Sequence, residues 1–191
     1  MKIRITGGAA RGRQLRVLEG PVRPTQDRVR AAIFSMLVGR LSGARVLDLY
    51  AGTGALGLEA WSRGALSVTW VEHERRVYTN LRANVEALTG GGAGFVCICD
   101  DVMRFLAGRL RCSSDMFDLV FADPPYTQNA SEIKKLLPTL AQGSILASDA
   151  WLVLEQASGL EPVVDPAWEL IRDRRYGETR ICIYRRSGAG E

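Results

Sequence analysis

Histidine and lysine are nearly missing from this 191-residue chain. His73 is the single histidine, and of the 25 basic side chains only Lys2, Lys134 and Lys135 are lysine. The four cysteines (Cys97, Cys99, Cys112 and Cys182) form no C-x-x-C pair. A structural zinc site of the usual spacing is therefore excluded, and no metal is expected. No apolar run approaches the ~20 residues of a membrane span, so no membrane partner is expected either. The start, Met1-Lys2-Ile3-Arg4, runs into glycine and arginine instead of an apolar segment. Without such a leader the cytoplasm is the expected compartment, and the cysteines read as small buried thiols. Hydrophobic residues make up 47% and charged residues 24%, the balance of a globular domain that buries a core without staples.

The charge that is present is unevenly placed. Residues 1–40 hold nine basic side chains against Glu19 and Asp27, while the whole chain nets only +4. A basic arm on a neutral-to-acidic body suits a polyanion, and arginine pairs bidentately with phosphate. The alternative is a solvated basic face.

Hydrophobic patterning divides the rest. Lys2–Ile5 and Gln14–Leu18 read as a small hairpin or arm among glycines, and Pro21 and Pro24 mark its exit. Thr25-Gln26-Asp27 supplies N-cap candidates for an amphipathic helix over Asp27–Leu41. Strands are expected at 46–50, 67–72, 95–99, 117–122 and 151–155, with helices at 55–63, 74–88, 102–110 and 131–140 between them. Residues 168–176 and 179–184 form a terminal antiparallel pair. Alternating apolar strands and helices predict an α/β fold with a parallel sheet covered on both faces. Such sheets bind ligands at the carboxyl ends of their strands, which directs attention to 48–57, 72, 100–102 and 123–126.

Gly52-Thr53-Gly54-Ala55-Leu56-Gly57 follows a strand and opens a helix, and Glu72 lies twenty residues after Gly52. This pattern fits adenosine-containing ligands generally: glycines admit the ligand to the backbone, and a carboxylate pairs with ribose hydroxyls. Asp48, just before the loop, discriminates. A carboxylate there repels a pyrophosphate but suits the cationic amino-acid end of S-adenosyl-L-methionine. Asp100 or Asp101 could reach an adenine amino group, and Asp101 could equally be a helix N-cap.

Asp123-Pro124-Pro125-Tyr126 is the most specific feature. Two prolines remove two N–H donors and turn the chain out of the sheet. A carboxylate from Asp123 and a carbonyl from Pro124 can accept both hydrogens of an exocyclic amine, aiming its lone pair at an electrophilic methyl. Tyr126 offers a stacking surface worth ~1–3 kcal/mol. Orientation dominates such a reaction, so no general base is needed and His73 reads as an ordinary strand-end residue.

Together, Ile5-Thr6-Gly7-Gly8, Arg11-Gly12-Arg13, Arg23-Pro24-Thr25-Gln26-Asp27-Arg28-Val29-Arg30, the loop from Asp48 to Ala60 and Asp123–Tyr126 resemble the RsmD family of bacterial 16S ribosomal RNA guanine-N2 methyltransferases. The resemblance spans roughly residues 3–186. One departure is Ala31, where the family usually carries glutamate. The resemblance implies a Rossmann-like, seven-stranded, mostly parallel sheet with a short N-terminal β-hairpin arm. The arm would be residues 1–22 and the methyltransferase domain 23–187. It implies S-adenosyl-L-methionine as donor, 16S rRNA within the small subunit or an assembly intermediate as partner, and a monomer. Carried over, Asp48, Tyr50, Gly52, Thr53, Gly54, Glu72, Asp101 and Val102 bind the cofactor. Asp123, Pro124, Pro125 and Tyr126 hold the target base. Arg11, Arg13, Arg23, Thr25 and Arg28 meet the RNA. Competing readings are an adenine-N6 nucleic-acid methyltransferase, a dinucleotide-dependent oxidoreductase and a non-catalytic RNA-binding assembly factor.

Overall fold

A computed structural model describes residues 3–18, 27–109, 116–125 and 129–188. Arg23, Thr25, Cys112 and Tyr126 lie outside the described residues.

The apolar runs form β3 (Arg45–Leu49), β4 (Ser67–Glu72), β5 (Phe95–Cys99), β6 (Phe117–Ala122) and β7 (Leu146–Ala157). With β8 (Trp168–Tyr176) and β9 (Thr179–Arg186) they make one seven-stranded sheet in the order β5-β4-β3-β6-β7-β9-β8. The first five strands are parallel, and β9 runs antiparallel to both β7 and β8. Chain order reverses at β3, which pairs with β4 on one side and β6 on the other. A crevice opens at such a switch point because successive connections leave toward opposite faces.

Helices α1 (Asp27–Met36), α2 (Ala55–Ser62) and α3 (Arg75–Thr89) cover one face, built around Phe34, Leu58, Trp70 and Leu81. Helices α4 (Val102–Arg109) and α5 (Asn129–Gln142) cover the other, around Leu106, Leu136, Val120 and Leu152. Strand residues alternate between the two clusters, as a pleated strand buried on both sides must.

The N-terminal hairpin pairs β1 (Ile3–Arg4) with β2 (Gln14–Leu15). Strands this short do not hold themselves together in water. Ile3, Ile5, Ala10 and Leu15 are instead buried in the α1–α3 cluster. Full burial of a side chain such as Ile or Leu is worth ~1.5–3 kcal/mol. Ala9 N–H donates to the Ser62 carbonyl at 2.7 Å and Ala10 N–H to Ser62 Oγ at 2.8 Å, which joins the hairpin to α2.

Three expectations need correction. The first helix ends at Met36, not Leu41, because Gly39 and Gly43 take left-handed φ angles of 83° and 75°. Leu37 and Leu41 are buried by the ensuing turns, so their spacing mimics a longer helix. Strand β7 begins at Leu146, well before Trp151, through a register shift against β6 that small and polar residues 147–149 conceal. Finally, Cys99 is exposed and Cys97 half-buried, because β5 is an edge strand; only Cys182 is a fully buried thiol among the described cysteines.

Candidate active site

Four carboxylates line the switch point. Asp48 shares the parity of Val46, so it faces the α1–α3 side, and Glu72 shares the parity of Val68 and Trp70. Past β6, Asp123 continues the alternation that puts Phe121 on that side and Ala122 on the other. The pairing of Ala122 with Leu154 sets Asp123 beside Glu155 of β7. Across β4, β3, β6 and β7 the carboxyl ends thus present Glu72, Asp48, Asp123 and Glu155 in a row.

Backbone N–H groups hold the first two. Asp48 Oδ2 accepts from Gly57 N–H at 2.9 Å, at the start of α2. Glu72 Oε2 accepts from Gly52 N–H at 3.0 Å, and its Oε1 from Glu74 N–H at 2.9 Å. The loop between them is tightly bent: Tyr50, Gly52 and Gly54 have φ of 57°, 55° and 81°. Only glycine takes that region without strain, so Tyr50 is a held, strained residue. A Cβ at Gly54 would collide with Leu81, and one at Gly57 with Trp70, which brings α2 close onto β4 and α3. A Cβ at Gly52 meets no atom nearer than 4.0 Å, so the backbone there is open to a ligand.

The electrostatics follow from burial and like charge. Burial pushes the Asp48 carboxyl from 3.8 up to about 8, with Gly57 N–H opposing and Glu72 adding. Burial likewise pushes Asp123 well above the carboxylate range, and the charges of Glu155 and Asp48 add to it. Burial first, then Glu132 and Asp101, raises the Tyr50 phenol. A row of carboxylates that cannot all ionise alone is complementary to a cation.

The remaining expected residues are placed as follows. Asp123 is half-buried, Pro124 buried and Pro125 exposed at the end of β6. Asp101 is exposed and caps α4, accepting from Arg104 N–H at 3.0 Å, while Asp100 sits 3.4 Å from the Arg104 guanidinium. The Val102 side chain is buried against the α4–α5 cluster. Thr53 is buried within the loop. His73 is exposed at the strand end, with Nδ1 3.3 Å from Glu72 Oε1. Arg11, Arg13 and Arg28 are exposed on the α1–α3 side, and Arg13 donates to the Ala87 carbonyl at 3.3 Å.

Sequence reasoning missed four residues here. Glu155 lay unremarked in an apolar strand, and only the β6–β7 register brings it to Asp123. Arg30 and Glu59 are fully buried 3.7 Å apart, and Glu59 also accepts from Thr6 N–H and Oγ1, both at 2.7 Å. Asn84 joins the hairpin to the glycine loop. A cavity of ≈ 530 Å³ lies apart from the glycine loop, lined by Ile133, Pro138, Gln156, Leu160 and Val163.

The fold agrees with the comparisons. The family described as "Conserved hypothetical protein 95" matches residues 3–185. Ribosomal RNA small subunit methyltransferase D of Escherichia coli (strain K12) is 37% identical over 193 residues, covering 100% of this chain and 93% of that one. The chain belongs to the RsmD family. A solved structure of the Escherichia coli protein yhhF, assigned as a methyltransferase, superposes with TM-score 0.86 at 34% identity, over 98% of this chain and 99% of that one. A more distant structure, SMU.776, is an assigned methyltransferase solved with SAH. It shares the fold at TM-score 0.68 and 18% identity, over 86% of this chain and 50% of that one. As an RsmD-family protein the chain is a methyltransferase with a class I Rossmann-like fold. The switch-point row in this family member is its candidate active site.

Proposed function

We propose that the protein transfers a methyl group from S-adenosyl-L-methionine to the exocyclic N2 of a guanine in 16S rRNA of the small ribosomal subunit. The observation that carries this reading is the carboxylate row. It begins beside an open glycine backbone at Gly52 and runs past Asp123-Pro124-Pro125, where the chain leaves the sheet, to Glu155. The rRNA substrate is supported by the Escherichia coli relative's name, and the exposed Arg11, Arg13 and Arg28 suit its phosphates.

The donor fits the site by charge. Burial holds the Asp48 carboxyl up at about 8, and a positive group beside it, such as the ligand's ammonium, favours its ionised form. Glu72, fixed by Gly52 and Glu74 N–H groups, keeps lone pairs for ribose hydroxyls. When bound, the donor supplies an electrophilic methyl on a sulfonium. The chain's own work is positioning. Asp123 and the Pro124 carbonyl accept the two N2–H hydrogens, which favours a pyramidal nitrogen whose lone pair is no longer delocalised into the ring and points at the methyl. A C–N bond then forms as the S–CH3 bond breaks, and the surplus proton leaves the nitrogen afterwards. Preorganised orientation of this kind can lower a barrier by ~7–11 kcal/mol.

The test is transfer of labelled methyl to small subunits that lack their own methylation, followed by digestion and identification of the labelled nucleoside. Label in N2-methylguanosine is expected. Label in N6-methyladenosine would overturn the base, and no label from protein that binds the donor would overturn the acceptor.

A further inference from the structure

Asn84 is 2% exposed in the middle of α3, and its side chain points into the hairpin and the glycine loop together. Its Oδ1 accepts from Arg16 N–H at 2.9 Å. Its Nδ2 donates to the Arg16 carbonyl and to the Thr53 carbonyl, both at 3.0 Å. Both amide hydrogens are therefore used, and the orientation is fixed by chemistry: a flipped amide would set its oxygen against two carbonyls. One turn earlier on α3, Asn80 Nδ2 donates to the Arg16 carbonyl at 2.9 Å, and among the described residues no bond from Asn80 to the loop accompanies it. Leu81 on the same helix closes over Gly54. The hairpin end and the loop that would bind the donor thus share one rigid support, and a single buried amide touches both.

We propose that Asn84 is a positioning residue that couples RNA engagement by the N-terminal hairpin to cofactor engagement by the Gly52–Gly54 loop. Arg16 is exposed and sits where β2 leaves the hairpin, in a segment that also presents Arg11 and Arg13. RNA held by these side chains fixes the Arg16 backbone. Asn84 passes that constraint to the Thr53 carbonyl, so the loop is held in its bent form before the donor arrives. Coupling of this kind is reciprocal, so the cofactor strengthens RNA binding by the same factor. The inference rests on the functional reading above.

The experiment measures the affinity of S-adenosylhomocysteine for the full chain with and without saturating unmethylated small subunits, and the subunit affinity with and without S-adenosylhomocysteine. For the unaltered protein the two ratios are expected to agree and to fall in the usual range of about 5–150-fold. In Asn84→Ala, or in the milder Asn84→Ser should alanine not fold, both ratios are expected to fall to about 1. Asn80→Ala loosens the same hairpin carbonyl without touching Thr53, and is expected to keep most of the coupling. Equal loss in the Asn80 and Asn84 variants would reduce Asn84 to a hairpin anchor and overturn the proposal. So would coupling that survives in Asn84→Ala, or unaltered protein that binds subunits equally with and without S-adenosylhomocysteine. Unaltered protein that binds no subunits would instead overturn the functional reading, and the proposal with it.

Discussion

Helices α4 and α5 bury Val102, Phe105, Leu106, Ile133, Leu136, Leu137 and Leu140, all apolar. On the opposite face α1, α2 and α3 bury Arg30, Glu59, Ser62, Asn80 and Asn84 among their apolar residues. Both faces cover the same sheet, so the sheet does not demand the difference. The hairpin does. Its backbone runs over the α1–α3 face with N–H and carbonyl groups that two-residue strands cannot satisfy, and buried polar side chains complete them. One face is packed mostly by apolar area, with α5 tied to the sheet by Trp168 Nε1 donating to the Leu137 carbonyl at 3.0 Å; the other adds a network of directional bonds that fixes the register of hairpin and loop.

The comparison can be broken most severely at the site itself. Asp123→Ala is expected to lower methyl transfer at least ~100-fold by loss of orientation, with donor binding retained in calorimetry. Near-normal turnover would remove the chemistry from the α1–α3 side.

Next come the two ways of holding a helix. Glu59→Leu removes one of the two carboxylates beside Arg30, leaving Asp27 at 2.7 Å, and strips Thr6 of its acceptor, so it is expected to cost at most ~3–5 kcal/mol in denaturant unfolding. Adding Arg30→Met should recover part of that loss, since the pair's own desolvation is then removed. Leu136→Ala on the other face should cost ~2–5 kcal/mol with transfer per folded molecule unchanged. A Leu136 variant that altered donor affinity would mean that the apolar face also sets the loop.

A smaller effect sharpens the electrostatic side. The Asp48 carboxyl titrates at 3.8 in its ordinary state and at about 8 in the fold. Between those values the unfolded chain has released a proton that the folded chain still holds. Stability contributed by this group therefore falls as pH rises through that window, and Asp48→Asn is expected to flatten the slope in thermal melts. A cationic ligand favours the ionised form, so donor affinity should rise with pH up to about 8, and Asp48→Asn should bind weakly with little pH dependence. Unchanged affinity in that variant would remove the charge argument against a dinucleotide.

The smallest effect lies at the rim. Arg11→Ala and Arg13→Ala should each weaken subunit binding and lower the salt slope by about 1. Donor affinity without RNA should stay as it was.

Much of the site was legible because its residues are contiguous. Asp48 to Gly57 is one strand-to-helix turn, in which Gly52 and Gly54 report left-handed backbone and Gly57 a close approach to Trp70. Asp123-Pro124-Pro125 ends a strand because proline cannot continue one. Element ends were less legible: Leu37 and Leu41 keep a helical spacing in a turn that Gly39 has already bent.

What the sequence by itself determined is therefore local: an alternation of apolar strands and helices, a glycine loop after a carboxylate, a proline-locked strand end and a basic N-terminus. What only the tertiary structure decided is which distant polar residues meet. Arg30 and Glu59 are 29 positions apart, Asn84 and Arg16 68, and Glu155 reaches Asp123 only through strand register. A buried polar group's partners depend on the direction of a hydrogen bond across a packed interface, and spacing along the chain carries no record of that direction.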